Sequence, residues 1–268
     1  MNIQRIYPDP CDESYYMDAY LASAHGGFTR GAMVICPGGA YKILDVFREG
    51  EAVAQAFMPY GYNCFVLHYS LSESGKTFPS QLMQAAKTVR YIRQHAEEFR
   101  IDPEKVLISG FSAGGHLAAS LAVLWDRADV QAEVGDGCRP NGAVLLYPVI
   151  TASEELGAHR RSLCNLLGTT EPTQAQLDEV SLEKHVTASA VPAFFMHTTD
   201  DNAVGVGNSL AMAAAYSKVG VPFELHVYTG AGHGVALAND ITVGARQNNT
   251  NPNIARWVEL AADWAKTI

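Results

Sequence analysis

The sequence predicts an α/β fold: a mostly parallel, doubly wound sheet with helices on both faces. Three observations carry that expectation. Short apolar runs that stop at Gly or Pro alternate with longer stretches of helical spacing, from about residue 32 to the C-terminus. Alternation of that kind implies parallel strands joined by right-handed crossovers. The chain has 268 residues, 48% of them hydrophobic, enough for one large core with no linker dividing it. A single domain over 1–268 is expected, with 149–190 as a small lid insertion.

Taken in order, residues 1–30 are polar and aromatic, partly alternating over Tyr15–Leu21, and predict short antiparallel edge strands. Ala32–Cys36 is a buried strand ending at Pro37-Gly38-Gly39-Ala40. Arg48–Tyr60 has helical spacing and stops at Gly61. Cys64–Tyr69 is the next strand, and Pro79–Phe99 a long helix with Pro at its start. Val106–Ser109 is too short and apolar for anything but a buried strand, whereas Ala113–Trp125, rich in Ala and Leu, predicts a buried helix. Ala143–Tyr147 is another strand. Residues 149–190 have no comparable strand signal and hold helical fragments at Arg160–Leu167 and Thr173–Val180. Strands at Ala193–His197 and Phe223–Tyr228 flank a helix over Asn208–Val219, and Asn253–Lys266 closes the chain as a helix.

Composition narrows the function. The net charge is −9 with nine His counted neutral, and no basic run is present. That balance excludes nucleic acid and an anionic membrane surface as partners, and disfavours a strongly anionic substrate unless a local Arg overrides it. Five cysteines, an odd number with no C-x-x-C pair, suggest neither a disulfide framework nor a zinc ribbon. Cys36 and Cys64 lie in apolar runs, as small core residues do. No metal cluster or cofactor is expected. The first residues lack an apolar signal core and no stretch reaches transmembrane length, so a cytoplasmic protein is expected. Ser74-Gly-Lys-Thr77 imitates the end of a phosphate-binding loop, but the loop's first glycine would fall at Ser70. Asn248-Asn-Thr250 is a glycosylation sequon without use in that compartment.

The chemistry is read from Gly110, Ser112 and Gly114, spaced G-x-S-x-G between a predicted strand and a predicted helix. A turn sharp enough to lift a serine hydroxyl above the sheet leaves no room for flanking Cβ atoms. The helix that follows turns its free N–H groups toward the serine, which suits a developing oxyanion. A nucleophilic serine needs a base, and the base an orienting acid, in the chain order Ser, Asp or Glu, His. His233, between glycines in Gly230-Ala-Gly-His-Gly234 after a strand, is the candidate base. His68, His197 and His226 lie within strands and are expected as sheet or core residues. His116 is expected to pack in the elbow or cap its helix, and His25, His95, His159 and His185 to lie at the surface. For the acid, Asp200 and Asp201 are both available after a strand's carboxyl end. The oxyanion donors are expected to be the N–H groups of Gly38, Gly39 and Ala113.

Pro37–Tyr41, Arg48-Glu-Gly50, Gly61–Ser70, Gly110–Ala118, Val191–Asp201 and Glu224–Gly234 together resemble the bacterial α/β-hydrolase esterases. Nearest among these are the acetyl-xylan-esterase-like carboxylesterases, relatives of the hormone-sensitive-lipase group. The resemblance runs from about residue 30 to the C-terminus. It implies the α/β-hydrolase fold, Ser112 as nucleophile, His233 as base, and Asp201 as acid because it stands three residues before Val204. It also implies hydrolysis of short acyl, often acetyl, esters on sugars such as xylo-oligosaccharides. The family's His-Gly-Gly-Gly is Pro37-Gly-Gly-Ala40 here, which leaves a third oxyanion donor unassigned. The usual Pro after the Val is Gly205, so a looser acid loop is expected. The expectation is thus a serine esterase acting on a small-molecule ester or acetylated oligosaccharide, with homo-oligomerisation left open. A serine peptidase or amidase with the same triad is the alternative, and a non-catalytic binding member of the fold the more distant one.

Overall fold

The structure, a computed structural model, describes residues 2–23, 27–243 and 250–268. His25 and Asn248-Asn249 of the sequon lie outside the described residues. Eight strands form one sheet in the order β1-β2-β4-β3-β5-β6-β7-β8. They are β1 (Asn2–Ile6), β2 (Tyr16–Leu21), β3 (Arg30–Cys36), β4 (Tyr62–His68), β5 (Ile101–Phe111), β6 (Gly142–Leu146), β7 (Ala193–Thr198) and β8 (Phe223–Tyr228). β1 and β2 pair antiparallel, as does β2 with β4; every pairing from β4 to β8 is parallel.

The central parallel strands β3, β4, β6 and β7 are apolar without alternation because both faces are covered, whereas the edge strand β8 is only partly buried. Along β3, Ala32 and Val34 face one core while Met33 and Ile35 face the other. The first core packs under α2 (Ser80–Gln94) and α4 (Ser112–Leu124), with Leu82, Val89, Leu117 and Leu121 fully buried. The second packs under α1 (Ala52–Phe57) and the C-terminal helix α11 (Trp257–Trp264), through Val53, Phe57, Trp257 and Trp264. At roughly 1.5–3 kcal/mol for each large apolar side chain buried, these two layers fix the direction of every strand. Cys36 and Cys64 are buried thiols in these layers.

Three helices differ from the sequence reading, each for a local reason. The segment expected as one helix over 48–60 begins as a π turn (Val46–Glu51), passes through α1, and ends as a 3-10 turn at Gly61, whose φ is +93°. The helix expected over 79–99 breaks at His95 into α2 and α3 (Ala96–Phe99), and Arg100 closes it in the left-handed region at φ +52°. The closing helix divides at Arg256 into α10 (Pro252–Ala255) and α11. A short helix, α5 (Ala128–Glu133), was not anticipated. Residues 149–190 hold α6 (Arg160–Leu167) and α7 (Gln174–Glu179) with single turns around them. α8 (Gly207–Val219) and α9 (Asp240–Val243) complete the helices named here. Among the described residues no helix is long and apolar enough to cross a membrane.

The order of strands also places the site. β3 continues toward β4 on one side, while β5 continues toward β6 on the other. Neighbouring strands whose onward connections part leave a crevice at their carboxyl ends. Gly38-Gly39 follows β3 and Ser112 follows β5, so both open into that crevice.

Candidate active site

Steric necessity shapes the turn at Ser112. A Cβ on Gly110 would stand 2.1 Å from the carbonyl oxygen of Gly114, and one on Gly114 2.0 Å from that of Cys36. Neither obstacle is a movable side chain, so both positions require glycine. Ser112 itself is held at φ +53°, a strained value of the sort found where a site over-determines the backbone. Gly114→Ala is therefore expected to destabilise the protein by about 3 kcal/mol or more, read as a lowered urea midpoint.

The histidine and the acid arrive from the other side of the crevice. Ser112 Oγ is 2.8 Å from His233 Nε2, and His233 Nδ1 is 2.6 Å from Asp201 Oδ2. A carboxylate can only accept, so Nδ1–H donates to Asp201 and Nε2 is left to accept the serine proton. Asp201 is buried, and its other oxygen accepts the N–H groups of Ala203 at 3.0 Å and Val204 at 2.9 Å. Burial alone would raise its carboxyl pKa. Hydrogen bonds from His197 and His233, the charge on His233 and the Val204 N–H instead hold it well below the usual carboxylate range.

The two adjacent aspartates part company in three dimensions. Asp200 is exposed and accepts the N–H of Gly230, tying the end of β7 to the loop that carries His233. His197, expected as a core residue of β7, is fully buried and also reaches the acid. Its Nε2–H donates to Val204 O at 2.9 Å and lies 3.5 Å from Asp201 Oδ2, while Ser209 Oγ meets Nδ1 at 2.8 Å. The looser acid loop expected from Gly205 is not what is found. Gly205 N–H donates to Gly157 O at 2.9 Å, a bond that proline could not make, and a Cβ there would stand 2.8 Å from Gly157 Cα.

At the oxyanion turn one expectation is corrected. Gly38 N–H does not point into the cavity; it donates to Glu49 Oε2 at 2.8 Å. Gly38 is glycine for closeness, since a Cβ would come within 2.6 Å of that oxygen and 3.0 Å of Ser112 Cβ. Gly39 takes φ +135°, and its N–H has no hydrogen-bond partner among the described residues. Ala113 is the second residue of α4, so its N–H is among the four that a helix leaves without an internal acceptor.

Glu49 was not legible as a site residue. It is 4% exposed, and its second oxygen accepts the hydroxyl of Tyr147 at 2.8 Å. Burial raises its carboxyl pKa, with Asp45 adding to the rise, while Tyr147, the charge of His233 and the Gly38 N–H oppose it. The Tyr147 oxygen also accepts the N–H of Ala236 at 3.0 Å, three residues beyond the histidine. Its ring meets that of His233 edge-on at 5.1 Å.

Around Ser112 and His233 lies a cavity of about 310 Å³, bounded also by Gly39, Ala40, Ile43, Glu49, His159 and Arg161. His159 is thus not a plain surface residue: it is half-buried, bonded to Ser162 Oγ, and burial lowers its pKa. Both it and Arg161 come from the 149–190 segment, whose Asn165 donates to Ala40 O at 2.7 Å. His116 is buried between Tyr41 OH and Val180 O, each 2.9 Å away, and burial brings its pKa down to about 4. His95 and His185 each bond a backbone carbonyl, and His226 on β8 stacks on Phe194 of β7.

The family model described as BD-FAE matches residues 17–216. Endo-1,4-beta-xylanase B of Butyrivibrio fibrisolvens is 38% identical over 215 residues, covering 79% of this chain and 33% of that protein. The acetylxylan esterase of Xylanibacter ruminicola is 30% identical over 210 residues, covering 76% of this chain and 40% of that protein. The chain thus spans well under half the length of these two relatives. Among solved structures, the acetyl ester-xyloside bifunctional hydrolase of Caldicellulosiruptor lactoaceticus superposes with a TM-score of 0.83. The two chains are 30% identical, with 98% of this chain and 96% of that one covered.

Proposed function

The chain belongs to the BD-FAE family, and from that premise we propose that it is a serine carboxylic ester hydrolase on an α/β-hydrolase fold. The observation that carries the reading is the unbroken line from Ser112 Oγ through the His233 ring to Asp201, at 2.8 and 2.6 Å. Ser112 attacks the ester carbonyl as His233 Nε2 takes its proton. Asp201 holds the ring in the tautomer that can do so and favours the imidazolium that results. The N–H groups of Gly39 and Ala113 receive the oxyanion, each donor of this kind being worth about 2.7–4 kcal/mol of barrier. His233 then returns its proton to the departing alcohol. It next activates the water that frees Ser112 from the acyl group.

Acetyl groups on sugars, in particular on xylo-oligosaccharides, are the substrates proposed. The relatives' names support this, as does a cavity of about 310 Å³ that suits a small acyl group beside an open rim. We assign 149–190 as a lid within a single domain, because His159 and Arg161 bound the cavity and Asn165 ties the segment to the oxyanion turn. The five free thiols suit a reducing, cytoplasmic setting.

The testing experiment compares p-nitrophenyl acetate, longer acyl esters, acetylated xylo-oligosaccharides and an aminoacyl-nitroanilide. Acetyl esters should turn over fastest and the anilide by at least about a hundredfold less, an amide being the harder acyl transfer without added binding energy. Preference for the anilide would transfer the site to the peptidases.

A further inference from the structure

Among the described residues, Glu49 is the buried carboxylate on the cavity wall that the serine, histidine and aspartate leave without a part. A carboxylate taken out of water is costly unless its oxygens are satisfied. Here each oxygen receives a hydrogen bond from a different segment of the site. Oε2 takes Gly38 N–H from the turn after β3, and Oε1 takes Tyr147 OH from the end of β6, both at 2.8 Å. Tyr147 passes the connection on, since its oxygen accepts Ala236 N–H. Trp257 holds the same residue from behind, donating to Ala236 O at 2.9 Å.

The neighbour of Glu49 works on the other end of the same loop. Arg48 donates to the carbonyl oxygens of Gly234 and Thr242, and its guanidinium pairs with Asp45 at 2.9 Å. Asp45 also accepts the Arg48 N–H and so caps the π turn. A π turn spreads successive side chains differently from an ordinary helical turn. In this one, Arg48 reaches the residue after His233 while Glu49 reaches the residue before Gly39. The Arg-Glu-Gly stretch is therefore a brace between the loop that carries the base and the turn that faces the oxyanion.

We propose that Glu49 is a positioning residue for ester hydrolysis. Through Gly38 N–H and Tyr147 OH it holds the Gly39 N–H at the place where negative charge develops, in register with His233. The proposal rests on the hydrolase reading above. It distinguishes Glu49 from a group that merely stabilises the fold. A stabiliser affects how much enzyme is folded. A positioner of the oxyanion donor affects the transition state more than the bound substrate.

Glu49→Gln keeps the volume but cannot accept hydrogen bonds at both ends, because its amide nitrogen only donates. With p-nitrophenyl acetate, kcat should fall about ten- to a hundredfold while KM stays within about threefold, the penalty for an ångström-scale displacement of a catalytic group. The inhibition constant of a trifluoromethyl ketone, which forms an oxyanion on the serine, should rise by the same factor as kcat falls. Tyr147→Phe removes one of the two anchors and should show the same pattern more weakly, and it decides the matter should Glu49→Gln fail to fold. An unchanged kcat, or a loss of kcat without matching loss of ketone affinity, overturns the proposal. A wild-type protein inert to both ester and ketone would instead overturn the hydrolase reading beneath it.

Discussion

Ser112→Ala should abolish hydrolysis of p-nitrophenyl acetate, lowering kcat by about 10⁶-fold to a level set by the oxyanion donors alone. The fold should survive, because the elbow is imposed by Gly110 and Gly114 and not by the hydroxyl. Their missing Cβ atoms are what let the backbone pass within van der Waals reach of Gly114 O and Cys36 O. Alanine tolerates the left-handed φ of +53° about as well as serine does. Urea denaturation should accordingly give a midpoint close to wild type. Substantial turnover in a folded variant would remove the serine from the mechanism.

Asp201→Asn should lower kcat by about 10⁴-fold, and the structure gives the reason. Ala203 and Val204 direct their N–H groups at one oxygen of residue 201. An asparagine must keep its oxygen there and turn its amide nitrogen to His233 Nδ1. A donor facing Nδ1 forces the ring proton onto Nε2, which can then no longer accept from Ser112. Stability carries a second signature. The Asp201 carboxyl is held below its ordinary range in the folded protein, so its contribution is present above the unfolded carboxylate pKa of about 3.9. That contribution is lost as pH falls through the depressed folded value. The stability gap between wild type and Asp201→Asn, measured in urea, should be widest near neutral pH and shrink on acidification.

The fold was legible because its signals are local. The central strands are built on short apolar runs bounded by Gly, Pro or polar residues, and the elbow is a steric requirement within five residues. What was hidden depended on convergence. The pair Asp200-Asp201 does not by itself say which carboxylate turns inward, and only the resemblance, through Val204 three residues on, pointed to Asp201. The physical reason lies in Gly230 N–H capturing one and two N–H groups of the following turn capturing the other. Gly38 resembled an oxyanion donor because glycine at that place permits close approach. The approach is real, but its N–H is taken by a side chain eleven residues on. Glu49 stood within Arg48-Glu-Gly50, one of the segments carrying the resemblance, but nothing local says that its carboxylate is buried against Gly38 and Tyr147. His159 read as surface because a segment without strong periodicity does not reveal what it covers.

The most direct test of the central claim is covalent. A fluorophosphonate incubated with the protein should add one phosphonyl group per chain by intact mass. Peptide mapping should place that group on Ser112, and Ser112→Ala should remain unmodified. An adduct on another residue, or none from a folded protein that still cleaves acetyl esters, would contradict the account.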